Sequence, residues 1–188
     1  MRKHFTVWLI TLIGLMGMSG ASLQAQATSG DFGSLKWKYD TGTKTLTISG
    51  QGDMPEYYET SKIPWNTFRE MMTTVVFEEG VTGITNGLFT TWGYYNVTSL
   101  TIPASVKKIG GGAFSGFSQL PTVTIAQGNA NYVLDDGVLF SKDRTVLVLY
   151  PAGRPGTSYT IPNGVKKIEM EAFNGSRLTE VNFPTTLE

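Results

Sequence analysis

Apolar and polar residues alternate along several short segments of this 188-residue chain, with the two-residue period of β-strands. The first of these segments, residues 35–49, alternates on both sides of a polar turn at residues 40–43. Two alternating segments joined by turn residues are typical of a β-hairpin with one buried and one solvated face. We therefore assign residues 35–74 to an N-terminal β-hairpin module and expect the polar residues 28–34 to be a spacer.

A longer pattern organises the remainder of the chain. The stretch Leu100–Phe114 recurs at Tyr159–Phe173 with most positions identical, and looser copies begin at Val76 and Val181. Each close copy predicts a short strand ended by proline, a turn, a second short strand and a bend before an Ala-Phe pair. One such coil cannot bury its own apolar residues, but stacked coils bury them against one another. We therefore predict a β-rich repeat solenoid of about 3.5 units over residues 75–188.

The repeat contains one long interval. Equivalent strand positions are separated by 25, 23, 36 and 22 residues, and these positions are Phe77, Ile102, Ile125, Ile161 and Phe183. Within the long interval, residues 131–151 contain two apolar runs, 138–140 and 146–150, around a polar turn at residues 141–144. This order predicts a β-hairpin inserted into the solenoid, preceded by a tight turn at residues 135–137.

Two units of the repeat share a longer motif. The first has it at Leu100, Ile102, Pro103, Val106, Ile109, Ala113, Phe114 and Leu120, and the second at Ile161, Pro162, Val165, Ile168, Ala172, Phe173 and Leu178. These residues resemble the BspA-like, or Treponema-type, leucine-rich repeats of bacterial surface proteins. The resemblance implies a leucine-rich-repeat solenoid and a role in adhesion or binding at the cell surface. One departure from the family pattern is that Phe117 and Ser176 stand where a cysteine is frequent.

The last copy of the repeat, which begins at Val181, reaches Glu188 before its second strand. A solenoid end without a polar cap exposes apolar edges and unpaired strand groups. Two explanations stay open. Either the chain is a shortened form of a longer repeat protein, or a partner covers this C-terminal repeat edge, which would then be a surface for self-association.

The first residues have the pattern of a signal peptide. Arg2, Lys3 and His4 form a basic start, an apolar run covers residues 5–18, and small residues follow up to position 27. We place cleavage after Ala25 or Ala27 and expect an exported protein that is secreted or attached to the cell surface, with the periplasm as the alternative. An uncleaved anchor is disfavoured because a run of about 14 residues is short for a bilayer span.

The composition excludes several kinds of chemistry. The chain has no cysteine, and its single histidine, His4, lies in the predicted signal peptide. The mature chain would then have no thiol nucleophile, imidazole base, disulfide or Cys/His zinc site. Lys plus Arg and Asp plus Glu both number 15, so no nucleic-acid surface is indicated. We predict no catalytic residue, no cofactor and no metal.

Carboxylates are the remaining route to catalysis or metal binding. Asp135 and Asp136 are adjacent, so on a strand they would face opposite ways, and Asp-Gly is common in turns. Asp53, Glu56 and Glu59 share one loop but lack the spacing of a calcium-binding loop. We interpret the aspartate pair as a turn and the acidic loop as solvated.

The best candidate ligand contacts are aromatic. The loop after Phe89 is two residues longer than its counterpart after Phe114, and it carries Trp92, Tyr94 and Tyr95. Flat aromatic rings on a loop suit sugar rings or protein partners. The competing interpretation is that these rings pack against the N-terminal module and seal the joint.

Lysines form the second candidate set. The pairs Lys107-Lys108 and Lys166-Lys167 occupy one repeat position, so stacked coils would align them into a basic stripe. Such a stripe suits acidic glycans or matrix proteins, although lysine pairs often only solubilise an exposed face.

These features predict an exported, non-catalytic binding protein whose partner is a surface protein or glycan of a host or of another microbe. The adhesive role is implied by the family resemblance. The first alternative is a structural or assembly unit that self-associates through its C-terminal coil. The second is a carboxylate-dependent glycosidase.

Overall fold

The computed structural model describes residues 26–56, 62–90 and 93–188. These residues form 15 strands: β1 (Ser29–Phe32), β2 (Leu35–Asp40), β3 (Thr45–Gly50), β4 (Gly52–Asp53), β5 (Thr74–Phe77), β6 (Val81–Ile84), β7 (Ser99–Ile102), β8 (Lys108–Ile109), β9 (Thr124–Ile125), β10 (Tyr132–Asp135), β11 (Val138–Ser141), β12 (Val146–Leu149), β13 (Ser158–Thr160), β14 (Lys167–Ile168) and β15 (Glu180–Asn182). A 3-10 helix covers Asn66–Phe68. No helix in these ranges is long and apolar enough to cross a membrane. The predicted signal peptide lies almost entirely outside the described residues.

The strands stack as successive coils of a solenoid. A six-stranded sheet has the order β1-β2-β3-β5-β7-β9, in which the first three strands are antiparallel and the rest run parallel. A second stack, β4-β6-β8, is parallel throughout. Successive coils from β3 to β8 therefore contribute one strand to each stack, and the β-rich solenoid predicted from the repeat is confirmed.

The alternating pattern decides which face of each strand is buried. In β2, Leu35, Trp37 and Tyr39 are buried while the residues between them are exposed. The parallel register places Ile48 beside Phe77, and both lie in the same core. Burying a large apolar side chain of this kind stabilises the fold by about 1.5–3 kcal/mol.

The N-terminal module is continuous with the solenoid. Its second strand, β3, pairs in parallel with β5, and β4 pairs with β6, so the residues after β3 form a first coil. Residues 28–34, which we expected to be a spacer, contain β1, and Phe32 is buried edge-on against Trp65 with ring centroids 4.7 Å apart. A four-residue strand and a coil without the repeat motif leave little periodic signal in the sequence.

The long interval in the repeat is a three-stranded meander, β10-β11-β12, whose last two strands are buried on both faces. Neighbouring residues of β11 and β12 belong to different hydrophobic cores. Leu139 and Val148 pack in the first core, whereas Phe140 and Leu147 pack in the second. Strands buried on both faces are expected to have continuous apolar runs. The predicted hairpin is present, and it forms an internal wall between the two cores.

A second set of coils begins at this wall. β12 pairs in parallel with β14, and β13 pairs in parallel with β15. The Gly153 backbone N–H donates to the Leu120 carbonyl oxygen at 2.8 Å, which joins the second set of coils to the first. A Cβ at position 153 would lie 2.3 Å from the Gln119 carbonyl oxygen, so this close approach requires glycine.

A buried asparagine fixes the meander to the coil before it. Asn129 is 2% exposed. Its side-chain N–H groups donate to the Pro103 carbonyl at 2.9 Å and the Val106 carbonyl at 3.2 Å. Its side-chain oxygen accepts from the backbone N–H groups of Asn131 at 2.9 Å and Tyr132 at 2.8 Å. The buried amide is thus fully paired, as buried polar groups normally are.

Candidate functional site

The two described aromatic residues of the loop after Phe89 have different environments. Tyr94 is completely buried, with its ring centroid 5.4 Å from that of Phe89 and 6.1 Å from that of Phe117. Tyr95 is 45% exposed. Trp92 lies outside the described residues. For Tyr94 the packing interpretation holds, and Tyr95 is the aromatic residue available to a ligand.

Polar atoms beneath this loop lack hydrogen-bond partners. Trp65 Nε1, Arg69 Nε and the Tyr94 hydroxyl are all buried, and none has a partner of hydrogen-bond geometry. Burial raises the pKa of the Tyr94 hydroxyl, and the nearby Trp65 indole and Arg69 guanidinium oppose that increase. Unpaired buried polar groups are costly, so this cluster is a local weakness of the core.

The two lysine pairs of the expected basic stripe lie in different sheets. Lys107-Lys108 lies at β8 in the three-stranded stack, whereas Lys166-Lys167 lies at β14, beyond the meander in a different sheet. The meander comes between the two copies along the chain and takes β14 into its own sheet, whereas the segments after β8 and β14 still lie close together, with a Cβ on Gly111 3.2 Å from Met170 Cβ. The second pair is also partly neutralised, because Lys167 Nζ lies 2.8 Å from Glu169 Oε1 and Lys166 Nζ lies 3.8 Å from Glu188 Oε1.

The aspartate pair forms the predicted turn. Asp136 and Gly137 join β10 to β11 with φ angles of 46° and 75°, as in the two-residue hairpin turns that need positive φ. Asp135 Oδ2 lies 3.0 Å from Arg144 Nη1, and Arg154 donates to both the carbonyl and the carboxylate oxygens of Asp136. Each carboxylate therefore stabilises the turn with its own arginine.

The acidic loop is only partly described, since Glu59 lies outside the described residues. The Asp53 carboxylate accepts a hydrogen bond from the Thr82 hydroxyl of the next coil. Within residues 26–56, 62–90 and 93–188, no group of three or more His, Cys, Asp or Glu is arranged to hold a metal ion.

One concave surface is a groove of about 320 Å³ between connecting segments of three coils. Its described lining residues are Thr90, Gly93, Tyr95, Ser115, Gly116, Ser118, Asn174 and Gly175. They come after Phe89, Phe114 and Phe173, which occupy the same position in three different repeats. Each wall of the groove is therefore the equivalent segment of a different repeat. We call this surface the Tyr95 groove.

Anchored neighbours hold Tyr95 at the edge of the groove. Tyr94 is buried on one side of it, and on the other the Asn96 side chain donates to the Glu70 carbonyl oxygen at 2.7 Å. Gly93, at φ 120°, lies so close to Arg69 that a Cβ would approach its side chain to 2.6 Å. These contacts anchor the backbone on both sides of Tyr95.

The other walls are also tied together. The Gly116 backbone N–H donates to the Phe89 carbonyl oxygen at 2.8 Å, which joins the first wall to the second. At the third wall, a Cβ on Gly175 would lie 3.5 Å from Ala152 Cβ and 3.6 Å from Ser118 Cβ. The two sets of coils are therefore nearly in contact at the floor of the groove.

The described lining of the Tyr95 groove is uncharged, and it combines apolar surface with a few hydroxyl and amide groups. None of its described lining residues is ionisable at neutral pH, and three of them carry hydroxyls: Thr90, Ser115 and Ser118. Thr90 Oγ1 donates to the Gly87 carbonyl at 3.2 Å, whereas Ser115 Oγ is buried without a partner. Asn174 adds an amide, which both donates and accepts.

The C-terminal coil has a solvent-exposed apolar residue. Phe183 is 61% exposed, whereas its repeat equivalents Phe77, Ile102 and Ile161 are buried and Ile125 is partly buried. The three buried positions lie on or next to strands β5, β7 and β13, each of which pairs with the strand of a following coil. Among the described residues, β15 pairs with β13 alone and its other edge has no partner strand.

A family comparison agrees with this architecture. The sequence model for the "BspA type Leucine rich repeat region" matches residues 53–136 and 154–188, in six copies. The chain belongs to the BspA-type leucine-rich repeat family. The match begins at Asp53 in β4, and it therefore includes residues that the sequence pattern had assigned to the N-terminal module. The model finds six copies, more than the roughly 3.5 units that the sequence pattern indicated.

Solved structures with similar folds are leucine-rich-repeat proteins and a vaccine antigen. A leucine-rich repeat protein from Eubacterium ventriosum is 24% identical, with a TM-score of 0.48, and the match covers 86% of this chain and 61% of that one. A leucine rich cell surface protein from Faecalibacterium prausnitzii is 19% identical, with a TM-score of 0.48 and coverages of 86% and 72%. The pneumococcal vaccine antigen PcpA is 16% identical, with a TM-score of 0.48 and coverages of 85% and 65%.

The BspA-type chain thus covers less than two thirds of the length of the E. ventriosum protein and of PcpA. No curated protein sequence shows significant similarity to it.

Sequence reasoning identified one residue of the Tyr95 groove and missed the others. Tyr95 was found because it lies in an insertion. Ser115, Ser118 and Asn174 follow the Ala-Phe pairs in two repeats, where small polar residues look like ordinary loop composition. Only the stacking of coils brings these segments together.

Proposed function

We propose that this BspA-type protein is an exported, non-catalytic binding protein that acts at the cell surface in adhesion to a host or microbial protein or glycan. The observation that supports this most is the Tyr95 groove, where a rigidly held, 45% exposed aromatic ring stands beside hydroxyl and amide groups. Ligand sites are concave surfaces with a few convergent polar groups, which describes this groove. The signal-peptide pattern of the first residues supports the export.

The absence of a catalytic role is part of the proposal. The two carboxylate sets considered for catalysis or metal binding have structural partners: Asp135 and Asp136 pair with arginines, and Asp53 pairs with Thr82. A glycosidase needs two carboxyl groups facing one bond, and neither set provides that arrangement among the described residues.

The test is a binding measurement on the purified mature chain, with panels of matrix proteins and of glycans. We expect saturable binding to at least one panel member, weakened by Tyr95→Ala. Met71→Ala is a matched control, since Met71 is 51% exposed and lies outside the groove. Absence of saturable binding on both panels, while a longer member of the family binds, would contradict the proposal.

A second candidate function is assembly through the C-terminal coil. The 61% exposure of Phe183 favours it, and within residues 26–56, 62–90 and 93–188 the outer edge of β15 has no partner strand. Light scattering after size-exclusion chromatography should then show a mass that rises with concentration and returns to the monomer value in Phe183→Ser. A strict monomer at high concentration would exclude this function.

A further inference from the structure

The lining of the Tyr95 groove favours one class of ligand over others. We infer that it binds a neutral sugar, one or two pyranose rings in size, with a ring face placed on Tyr95 and its hydroxyls on the serine, threonine and asparagine walls. This inference rests on the proposed function, because it names the ligand class of the same groove.

The first argument is charge. The described lining of the groove contains no Lys, Arg, Asp or Glu, so nothing in it compensates a carboxylate, sulfate or phosphate. Transferring an ionic group from water to an uncharged groove is costly, whereas a hydroxyl can exchange its water contacts for protein hydrogen bonds. A neutral ligand is therefore favoured over an acidic glycan.

The second argument is the kind of polar group. Ser115, Ser118 and Thr90 carry hydroxyls and Asn174 carries an amide, all of which donate and accept. Sugar hydroxyls have the same dual character, so each can pair with such a group in either direction. Ser115 Oγ is buried and Thr90 Oγ1 already donates to the Gly87 carbonyl, so Ser118 and Asn174 are the groups that can both donate to and accept from a sugar.

The third argument is the exposed aromatic ring of Tyr95. A pyranose ring has one face made of C–H groups, and such a face packs on an aromatic ring. The Tyr95 ring is 45% exposed, and its backbone is held by buried Tyr94 and by the bond from Asn96 to Glu70. A rigidly presented aromatic ring loses little conformational entropy on binding, which is why such rings act as anchors.

The fourth argument is size. The groove volume of about 320 Å³ is at the lower end of the range for small-molecule sites. It has room for a terminal sugar and its neighbour, and not for a long segment of polysaccharide. A unit of one or two sugar rings is therefore the expected ligand.

The experiment is saturation-transfer NMR and calorimetry on the mature chain, with neutral disaccharides of glucose, galactose and N-acetylglucosamine as probes. An acidic probe, sialyllactose, and a set of proline- and aromatic-rich peptides are included for comparison. We expect at least one neutral disaccharide to bind, with weaker or no binding of sialyllactose. Tyr95→Ala should weaken binding about tenfold, and Tyr95→Phe, which keeps the ring, should retain it.

Two further variants separate a specific site from general effects. Ser118→Ala should weaken sugar binding about threefold because a sugar hydroxyl loses one partner. Met71→Ala, on another exposed surface, should leave it unchanged. Circular dichroism melting curves of all variants show that each is folded.

The outcomes distinguish the inference from the proposed function. If a peptide or protein binds through Tyr95 and no neutral sugar does, the sugar inference is overturned and the binding function stands. If a sugar binds equally well to wild type and Tyr95→Ala, the inference is overturned because the site lies elsewhere. If sialyllactose binds more tightly than every neutral probe, the argument from charge is refuted.

Discussion

Replacing Asn129 by alanine should destabilise the protein strongly, because this residue connects the coil of β7 and β8 to the meander. The change removes four hydrogen bonds, of 2.8 to 3.2 Å, from a side chain that is 2% exposed. It leaves the Pro103 carbonyl and two backbone N–H groups without this partner, while the Val106 carbonyl still accepts from the Asn131 side chain at 3.3 Å. An ordinary hydrogen bond contributes about 1 kcal/mol, and a buried group left unpaired costs about 1–3 kcal/mol.

The expected loss in the free energy of unfolding is about 3–5 kcal/mol, less than the simple sum because the Val106 carbonyl keeps its bond from Asn131 and such contributions are not additive within one network. Urea unfolding monitored by tryptophan fluorescence measures it, provided that wild type and variant have equal slopes. Gln127→Ala, at an exposed position of the same loop, is the control and should change stability by less than about 0.5 kcal/mol. A loss below about 1 kcal/mol for Asn129→Ala would refute the role assigned to this side chain.

Three further predictions concern the cores. Phe140→Ala should lower the free energy of unfolding in urea by about 3–5 kcal/mol, because this ring is 1% exposed. Phe183→Ala should lower it by less than about 0.5 kcal/mol, because that ring is 61% exposed. Equal losses for the two variants would contradict the two-core description. Tyr94→Phe should stabilise the protein by about 1 kcal/mol, since it removes a buried unpaired hydroxyl; a comparable loss would show that the hydroxyl is hydrogen-bonded. Burial raises the pKa of Tyr159 to about 12 and also raises that of Tyr94, so the unfolded state loses these protons first. The free energy of unfolding should therefore be unaffected by these groups below about pH 10 and fall as the pH rises toward 12, with a shallower fall in Tyr94→Phe; a flat profile would contradict this.

Much of the fold could be predicted from the sequence because the period of the repeat is visible in the order of its residues. The close copies Leu100–Phe114 and Tyr159–Phe173 show the strand, turn and bend of a coil, and alternation in β2 shows a buried and a solvated face. Both signals depend on regularity. They identify a solenoid without any tertiary information.

The rest could not be predicted because it depends on which segments become neighbours. β1 is four residues long, and the first coil lacks the repeat motif, so neither is periodic. The continuous apolar runs of β11 and β12 indicate burial on both faces, but they do not say that each face belongs to a separate core. The lysine pairs share a repeat position yet lie in different sheets, because the meander intervenes.

The candidate site shows the same limit at the level of single residues. The insertion that carries Tyr94 and Tyr95 was visible in the sequence, but adjacent tyrosines give no indication of which one is buried. In the structure Tyr94 completes a cluster with Phe89 and Phe117, and Tyr95 turns to the groove. The polar walls come from two other repeats and are assembled only by stacking.

One measurement tests the central claim most directly, namely NMR mapping of backbone amide shifts on the mature chain as a bound neutral disaccharide is titrated in. The account predicts that the largest shifts cluster at the described lining of the Tyr95 groove, namely residues 90, 93, 95, 115, 116, 118, 174 and 175, and that they disappear in Tyr95→Ala. Shifts centred on the outer face of the six-stranded sheet or on the C-terminal coil, with the groove unchanged, would contradict it.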